Sequence, residues 1–394
     1  MKNYIFKAKA ALVGDELTYT ENVCIFVRDG TIELVGPADG AKAAAADYET
    51  VDLGDRVLMP GMIDSHSHTS LDARVAGHLE MMTDPAPDLT IRAVNNMRDD
   101  IMSGITTVRI LGDKEYVDVS VRRAVNAGEI PGPRMLIAGI GMRSLHGHGF
   151  VGVPHTGAQE FRQTCRQNML RKVDWLKIFV TAGAPPAGSG FIPSYVSLEE
   201  IETVSGEAKR NGLRTSAHCI GGEGLINCVK GGIDVIDHAY CATDADLELI
   251  AEAGRFVCLT PSVFMDLERN TKNPANVAKN TELGRDRAVG SMRKIVRSGV
   301  RYAVGSDALH ANMPLEAKYA VELGASYLEA LKGITVWGAE LCGIADRTGS
   351  IKEGKAADLI AVPENPLDDL DALRKVSLVV KDGIIIKNEQ GGTI

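Results

Sequence analysis

The sequence lacks any apolar run approaching the roughly 18 residues that a membrane span requires. Residues 1–7 contain no apolar core of the length found in secretory signal peptides. Basic charge is not in excess either, because the formal net charge is -9 at pH 7. This balance argues against nucleic acid or an anionic membrane as the main partner. We therefore expect a cytoplasmic protein that binds neither.

Paired cysteines are also lacking. The seven cysteines are odd in number and show no paired spacing, so the sequence predicts reduced thiols rather than a disulfide framework. Cys219 and Cys241 each stand close in sequence to a histidine. We interpret both as small buried apolar side chains; the alternative is a thiolate ligand.

The length of 394 residues exceeds that of one simple domain. With 45% hydrophobic and 24% charged residues, the composition is that of an ordinary globular protein. Such a chain can hold an α/β barrel of about 250 residues together with a smaller domain. No linker or low-complexity tract separates the two parts.

Both ends of the chain consist of short β segments. Asp29-Gly30 and Asp382-Gly383 each separate two apolar runs, a pattern typical of β-hairpins. Because both ends are rich in such segments, the sequence predicts a small β-sandwich domain made of residues 1–56 and 346–394.

The middle of the chain alternates short apolar runs with longer amphipathic stretches, which indicates parallel βα units. The candidate strands are residues 57–68, 105–111, 134–142, 175–180, 214–219, 235–239, 256–262 and 302–308. The candidate helices include residues 89–102, 117–127, 158–171, 198–210 and 285–297. This order predicts an α/β protein with a (β/α)8 TIM-type barrel over residues 57–345. The polar stretch 266–282 is expected to be a long loop that could act as a lid.

Several strand ends carry residues that bind metals. In a TIM-type barrel the active site lies at the carboxyl ends of the strands. His66 and His68 are two residues apart on the first strand, so both point to one face. The other candidates on later strands are Lys177, His218, His238 and Asp307. This constellation predicts a metal site. Taken singly, His218 and His238 could be core histidines, and Asp307 could be a helix N-cap.

Lys177 lies within an apolar strand, where burying an ammonium group costs several kcal/mol. The side chain must therefore be neutralised, paired or chemically changed. Reaction of its uncharged amine with carbon dioxide would give a carbamate, an anionic ligand able to bridge two metal ions. The alternative is a lysine on the outer face of the barrel that extends to solvent.

Together these residues resemble the metal-dependent amidohydrolase superfamily, and most closely its imidazolonepropionase-like and Xaa-Pro dipeptidase (prolidase) branch. The resemblance covers essentially the whole chain. The matching positions are residues 60–68 and 104–109, Lys177, His218, His238, Asp307 and residues 354–359.

The resemblance implies a site for two divalent metal ions. His66, His68 and Asp307 would hold the more buried ion, and His218 and His238 the more exposed one. Lys177, N6-carboxylated by carbon dioxide, would bridge the two. Histidine and carboxylate ligands favour zinc, although manganese, iron or cobalt would also fit. Two such ions about 3.5–4 Å apart would share a hydroxide generated from bound water.

The implied reaction is hydrolysis of an amide bond by that metal-bridging hydroxide, with Asp307 accepting its proton and passing it to the leaving amine. The expected small-molecule substrate is a dipeptide of the Xaa-Pro type, an N-acyl amino acid or a related cyclic amide. The alternative is a mononuclear-metal deaminase or imidazolone-type ring hydrolase on the same barrel, although Glu223 is displaced from the position of the usual deaminase glutamate. A catalytically silent scaffold is disfavoured because all six ligands are present. We also expect a homo-oligomer.

Five further residues are candidate substrate contacts. His146 and His148 lie in a glycine-containing loop that resembles the His-Gly-His-Gly loop of the branch, and His148 is also a candidate catalytic group. Tyr240 could hydrogen-bond the developing oxyanion and so act as a catalytic group as well. Arg109 and Arg143 could bind a substrate carboxylate. In each case the alternative is ordinary packing or a structural salt bridge.

Two segments depart from the pattern of the branch. Ile110 follows Arg109 where an aspartate is usual, which removes an expected support carboxylate. Residues 181–186, with the sequence Thr-Ala-Gly-Ala-Pro-Pro, replace a glycine-rich segment after the fourth strand. Both departures bear on the substrate and leave its identity open.

Overall fold

The structure is a computed structural model that describes residues 2–37, 47–185 and 190–389. Its strands are β1 (Tyr4–Val13), β2 (Thr18–Arg28), β3 (Thr31–Pro37), β4 (Glu49–Asp52), β5 (Val57–Pro60), β6 (Met62–Ser67), β7 (Ile105–Ile110), β8 (Arg134–Ile137), β9 (Gly141–Ser144), β10 (Gly152–His155), β11 (Trp175–Phe179), β12 (Arg214–Cys219), β13 (Val235–His238), β14 (Phe256–Leu259), β15 (Tyr302–Val304), β16 (Leu359–Val362), β17 (Leu378–Lys381) and β18 (Ile384–Asn388).

The helices alternate with the strands of the middle part of the chain. They are α1 (Ala86–Met102), α2 (Val117–Asn126), α3 (Gly157–Leu170), α4 (Leu198–Arg210), α5 (Gly222–Lys230), α6 (Asp244–Glu252), α7 (Ser262–Met265), α8 (Leu267–Thr271), α9 (Ala275–Arg297), α10 (Met313–Glu322), α11 (Tyr327–Gly333) and α12 (Val336–Cys342), with short 3-10 helices at Glu80–Thr83 and Leu370–Arg374. Within the described ranges, no helix is both long enough and apolar enough to cross a membrane.

Strands from both ends of the chain share one sheet, in the order β18-β17-β16-β5-β1-β2-β3, with β4 parallel to β1. The two predicted hairpins are confirmed, because β2 pairs antiparallel with β3 and β17 with β18. At each turn both residues have a positive φ, 48° and 81° at Asp29-Gly30 and 47° and 73° at Asp382-Gly383. Such turns match the right-handed twist of the strands that they join. The turns also pack together, since a Cβ on Gly383 would overlap the backbone of Gly30.

The predicted single strand over residues 57–68 is wrong, because the structure divides it at Gly61. β5 pairs with β1 and β16 in the sheet of the chain ends, whereas β6 pairs in parallel with β7. A Cβ at Gly61 would overlap the side chain of Thr106, so only glycine allows this close passage from one sheet to the next. The predicted strand 134–142 is likewise two strands, β8 and β9.

The middle of the chain contains the parallel strands that were predicted. β6, β7 and β8 pair in parallel, and β10, β9, β11, β12, β13, β14 and β15 form a second parallel run in that order. The backbone N–H of Asp307 donates to the carbonyl oxygen of His66 over 2.8 Å. This hydrogen bond brings the segment that follows β15 alongside β6.

The helices cover the parallel strands with their apolar faces. In α1, for example, Leu89, Ala93, Met97 and Ile101 recur every four residues and are buried. The predicted loop 266–282 is wrong, since these residues form α8 and the start of α9. The Asp266 carboxylate caps the N-terminus of α8, and Pro274 immediately precedes α9. Most of their polar residues lie on exposed helix faces, which resemble a loop in composition alone, whereas Arg269 and Thr281 are buried.

Arg134 joins the parallel strands to the sheet of the chain ends. Its guanidinium is buried and donates to the carboxylates of Asp358 and Asp382. The Thr348 hydroxyl donates to the same Asp358 carboxylate over 2.6 Å, and the Asp382 N–H does so over 2.8 Å. The charges of Asp358 and Arg134 therefore compensate each other where the parallel strands meet the sheet of the chain ends.

Replacing Arg134 with methionine leaves the buried Asp358 carboxylate without its cation. We expect the free energy of unfolding to fall by about 3 kcal/mol, as measured by urea denaturation. The matched control is Arg347→Met, which removes an exposed guanidinium 3.3 Å from Asp382 and should cost less than about 1 kcal/mol. Equal losses in the two variants would contradict the assigned role of Arg134.

Candidate metal centre

The six predicted ligand residues meet at one end of the parallel strands. They are His66 on β6, His68 just beyond β6, Lys177 on β11, His218 on β12, His238 on β13 and Asp307 after β15. Five of them are buried, and the side chain of Asp307 is 22% exposed. The convergence follows from the parallel pairing, which brings the carboxyl ends of neighbouring strands together.

His66, His238 and Asp307 offer donor atoms that all lie within 4.8 Å of one another. Nε2 of His66 is 3.4 Å from Oδ1 of Asp307, and Nε2 of His68 is 3.5 Å from the same oxygen. Burial raises the pKa of the Asp307 carboxyl, but the imidazoles of His66 and His68 hold that pKa well below its usual range. Asp307 is therefore an anion facing two imidazoles.

Hydrogen bonds to residues that follow neighbouring strands orient three of the imidazoles. Nδ1 of His68 lies 2.9 Å from the carbonyl oxygen of Gly112, and Nε2 of His218 lies 3.0 Å from that of Ala182. A carbonyl only accepts, so these ring nitrogens carry protons. Nδ1 of His238 lies 2.8 Å from the hydroxyl of Thr260. Such partners of the outer nitrogen are typical of metal-binding histidines, because they set the tautomer.

The donor set fits divalent metal ions. Nε2 of His66 and Nε2 of His68 both face Oδ1 of Asp307, and imidazole and carboxylate donors in this combination suit a divalent cation. Burial lowers the pKa of His218 and of His238 well below the usual value, so both imidazoles are neutral and can donate lone pairs. The rings of His218 and His238 lie 4.6 Å apart between centroids.

Lys177 is fully buried among these ligands, which contradicts the alternative of a lysine on the outer face. Its Nζ donates to Oδ2 of Asp237, a residue that the sequence analysis did not select. Asp237 also accepts from Nη2 of Arg109 over 3.0 Å and from the Ser216 hydroxyl over 2.6 Å. Burial lowers the pKa of Lys177, and Asp237 opposes this shift.

Asp237 connects the lysine to the first imidazole. Its Oδ1 is 3.2 Å from Nδ1 of His66. Burial raises the pKa of the Asp237 carboxyl, but Lys177, His66 and Arg109 hold that pKa well below the usual range. A signal for this residue was present in the sequence: Asp237 is a charged residue in an apolar strand, as Lys177 is, and of opposite sign.

The backbone around the ligands adopts conformations that residues other than glycine rarely occupy. The φ angle is 78° at His238 and 48° at Asp307, and the alanine after each also has a positive φ. Such strained residues cluster at functional sites. Gly305 allows the segment after β15 to pass close to β6, because a Cβ at Gly305 would overlap the backbone nitrogen of His66.

A cavity of about 490 Å³ opens onto the ligands. His66, His68, His218, His238 and Asp307 contribute to its wall. The remaining wall is largely apolar and includes Leu71, Leu79, Phe150, Val151, Phe179, Pro193, Val263 and Phe264. From the replaced segment after β11, residues 182–185 line the cavity as well, whereas Pro186 lies outside the described residues.

His148 and Tyr240 also line this cavity. The ring of His148 lies 4.7 Å from that of His218, and burial lowers the pKa of His148 to about 4, so it is neutral at pH 7. Tyr240 stacks on His238 at 5.2 Å, and its hydroxyl lies 2.5 Å from the hydroxyl of Thr260. His148 is therefore adjacent to His218, and Tyr240 is adjacent to His238.

Three predicted substrate contacts lie elsewhere. The Arg109 guanidinium is fully buried beneath the ligands and bonds to Asp237, so it cannot meet a substrate. Arg143 donates to backbone carbonyl oxygens of its own loop, which satisfies its Nη1. His146 is exposed and contacts Ser144 and Tyr195. Within the described residues, none of the three contributes to the cavity wall.

The missing support carboxylate after Arg109 is replaced from further along the chain. The Gly112 carbonyl oxygen accepts from His68, and the buried Asp113 carboxylate accepts from Ser70 N–H over 2.9 Å. The Thr69 hydroxyl donates to the same carboxylate. The segment that carries His68 is therefore held by residues two and three positions beyond the expected aspartate.

All seven cysteines are buried and unpaired. His66, Asp237 and Cys258 form a second group of possible donor atoms. Burial raises the pKa of Cys258 well above its usual value and that of Cys241 to about 11, so both are neutral thiols. Their burial as neutral thiols favours the interpretation that these cysteines are small apolar side chains rather than thiolate ligands.

Comparison with known proteins identifies the family that the sequence resembles, the amidohydrolases. Residues 57–386 match the family described as "Amidohydrolase family". An ochratoxinase from Aspergillus niger is 27% identical over 368 residues, which is 84% of this chain and 76% of that protein. An imidazolonepropionase from Sphingopyxis alaskensis is 25% identical over 391 residues, covering 89% and 88%. A solved Xaa-Pro dipeptidase with bound methionine matches with a TM-score of 0.85 and 27% identity, covering 98% and 100%.

The family match spans most of the chain, and the site contains the ligand types that the resemblance implied. The predicted enzyme class is therefore confirmed. The chain belongs to the amidohydrolase family, the metal-dependent hydrolases that act on carbon–nitrogen bonds.

Proposed function

We propose that this protein is a binuclear metal-dependent amidohydrolase that cleaves an amide bond in a small molecule. The convergence of four imidazoles, a buried lysine and a carboxylate at one end of the parallel strands carries this proposal. His66, His68 and Asp307 would hold one ion, and His218 and His238 the other. Lys177, as an N6-carboxylated lysine, would bridge them, with zinc as the metal that this donor set favours.

The proposal includes the architecture around the site. The parallel strands from β6 to β15 would close into a (β/α)8 barrel, which the hydrogen bond from Asp307 to His66 supports. The sheet of the chain ends would form the β-sandwich domain from residues 1–56 and 346–394. Because β5 pairs in that sheet, we now assign residues 57–60 to it as well.

In the proposed reaction the bound metal ions would supply an activated water and polarise the substrate carbonyl. The ionised carboxylate of Asp307 accepts the proton of the attacking water and returns it to the leaving amine. The neutral imidazole of His148 lies beside His218, where it could donate a hydrogen bond to the developing oxyanion. The Tyr240 ring stacks on His238, and its hydroxyl could donate in the same way once it releases Thr260.

The cavity and the relatives support the proposed substrate class. A volume of about 490 Å³ suits a small molecule, and the apolar walls suit a hydrophobic acyl or side-chain group. Likeness to an Xaa-Pro dipeptidase supports a dipeptide, an N-acyl amino acid or a related cyclic amide. Self-association and a cytoplasmic location stay predictions from the sequence.

The imidazolonepropionase relative favours a second candidate, hydrolysis of an imidazolone-type ring at a single metal ion. A mononuclear deaminase is less well supported, because Glu223 on α5 is exposed and, among the described residues, is not part of the cavity wall. The number of bound ions distinguishes these candidates from the binuclear hydrolase.

Protein purified with zinc and bicarbonate should contain about two ions per chain by plasma mass spectrometry. Lys177→Ala removes the bridging ligand, so its content should fall to one ion or less. The control Lys209→Ala, at an exposed position on α4, should keep both. One ion per chain that is insensitive to Lys177→Ala would exclude the binuclear site and favour the ring hydrolase.

Asp307→Asn should lower kcat for amide hydrolysis by about 10²–10⁴-fold, because the amide cannot take up the proton. The measurement is release of free amine from a panel of dipeptides and N-acyl amino acids. Asp244→Asn, at an exposed carboxylate on α6, should retain full activity. Unchanged turnover in Asp307→Asn would rule out the assigned role of this carboxylate.

A further inference from the structure

Arg269, which is not among the predicted site residues, is the cationic side chain on the substrate side of the cavity. It lies on α8 in the segment that was expected to be a loop, and it lines the cavity. Among the lining residues that the structure describes, Asp307 is the one carboxylate, and Arg269 is the one arginine or lysine. With Asp307 assigned to a metal ion, the open cavity is suited to an anionic ligand.

The guanidinium of Arg269 is held in a fixed position. Nη1 donates to the Ser262 hydroxyl over 2.8 Å and to the Ser306 carbonyl oxygen over 2.7 Å. Nη2 donates to the Asp307 carbonyl oxygen over 2.6 Å. Within the described residues, Nε donates no hydrogen bond. The guanidinium therefore retains donor capacity while its orientation is already set, which lowers the entropic cost of binding a ligand.

The positive charge of Arg269 is only weakly compensated by the protein. Oδ2 of Asp307 is 3.8 Å from Nη2, and this carboxylate is assigned to the metal site. The Asp266 carboxylate is engaged in capping α8, where it accepts from the backbone N–H of Arg269 over 3.3 Å. A further carboxyl, that of Glu316, accepts from the Ser262 N–H over 3.0 Å. Burial raises the pKa of Glu316 to about 8, so this group is largely neutral at pH 7. The hydrogen-bond partners of the guanidinium are neutral oxygens, so in the part of the chain that the structure describes Arg269 has no counter-ion closer than the Asp307 carboxylate. An arginine in this state favours a carboxylate ligand.

We propose that Arg269 is the specificity-determining residue that binds the substrate carboxylate. Because its guanidinium bonds to the backbone of Asp307, the bound carboxylate would lie close to the scissile amide, as the α-carboxylate of an amino-acid residue does. Neutral donors on the same wall, Asn273, Asn280 and Thr281, fit this assignment. The inference rests on the proposed function and narrows its substrates to N-acyl amino acids and dipeptides with a free carboxylate.

The test compares two probes that differ only in this group, N-methanesulfonyl-L-phenylalanine and N-methanesulfonyl-L-phenylalaninamide, because a sulfonamide in place of the scissile amide is not hydrolysed during the measurement. Their dissociation constants are measured by calorimetry on the zinc-loaded protein. We expect the acid to bind at least tenfold more tightly than the amide, and Arg269→Gln to reduce that ratio to about two or less. Arg293→Gln, at an exposed position on α9, should keep the ratio of the unmodified protein.

Metal content of each variant is measured alongside, because Arg269 also contacts the backbone of Asp307. A preference for the acid that persists in metal-loaded Arg269→Gln would mean that a metal ion captures the carboxylate, and it would overturn the proposal. If Arg269→Gln loses its metal, Arg269→Lys takes its place. Lysine keeps the charge without the paired donors, so the ratio should fall at least threefold; an unchanged ratio would overturn the proposal.

The outcomes also separate this inference from the proposed function. Equal binding of the two probes to the unmodified protein, together with hydrolysis of amides that lack a carboxylate, would exclude the role of Arg269 alone. Arg269-dependent binding of the acid, with no hydrolysis of any member of the amide panel, would exclude the proposed function and leave the carboxylate site in place.

Discussion

The site depends on the compensation of charge around Asp237. Two cations, Lys177 and Arg109, lie buried against this one carboxylate. Any of the three charges left alone would cost several kcal/mol in the protein interior. With Lys177 as an ammonium the trio carries a net charge of about +1, whereas carboxylation of Lys177 would make it about -1. A group of net negative charge next to the anionic Asp307 would be repelled by it unless cations lie between them. The proposed carbamate therefore requires the proposed metal ions.

The orientation of the imidazoles follows from the order of the strands. His68 is held by Gly112 after β7, and His238 by Thr260 after β14, so the strand next to each ligand provides its partner. Asp64 ties the first and last strands together by accepting from the Ser306 N–H and hydroxyl. The candidate ligands are therefore positioned by hydrogen bonds to residues directly after the ends of neighbouring strands, and these strands fix the partners in place.

The helical wall formed by α8 and α9 changes the interpretation of substrate recognition. Its polar composition resembles a loop, because a helix that packs by one stripe exposes polar residues over most of its surface. Once helical, it presents Arg269 toward the cavity, while the arginines expected there, Arg109 and Arg143, are engaged elsewhere. The carboxylate-binding role therefore passes to a residue whose sequence context gave no chemical signal.

Local sequence signals determined much of this protein. Asp-Gly between apolar runs was sufficient for both hairpins. The spacing of His66 and His68 on one strand face, together with the polar residues at later strand ends, indicated the candidate metal site. Lys177 stood out because a lysine in an apolar strand demands compensation. These features depend on backbone preference and on the period of the strand, both of which are local.

Only the tertiary structure decided which groups meet. The pairing of Lys177 with Asp237, the burial of Arg109, the passage between sheets at Gly61 and the entry of Arg269 into the cavity all involve residues far apart in sequence or the close packing of distant backbones. Such contacts depend on strand order and side-chain direction across neighbouring elements, and no local pattern of residues encodes these.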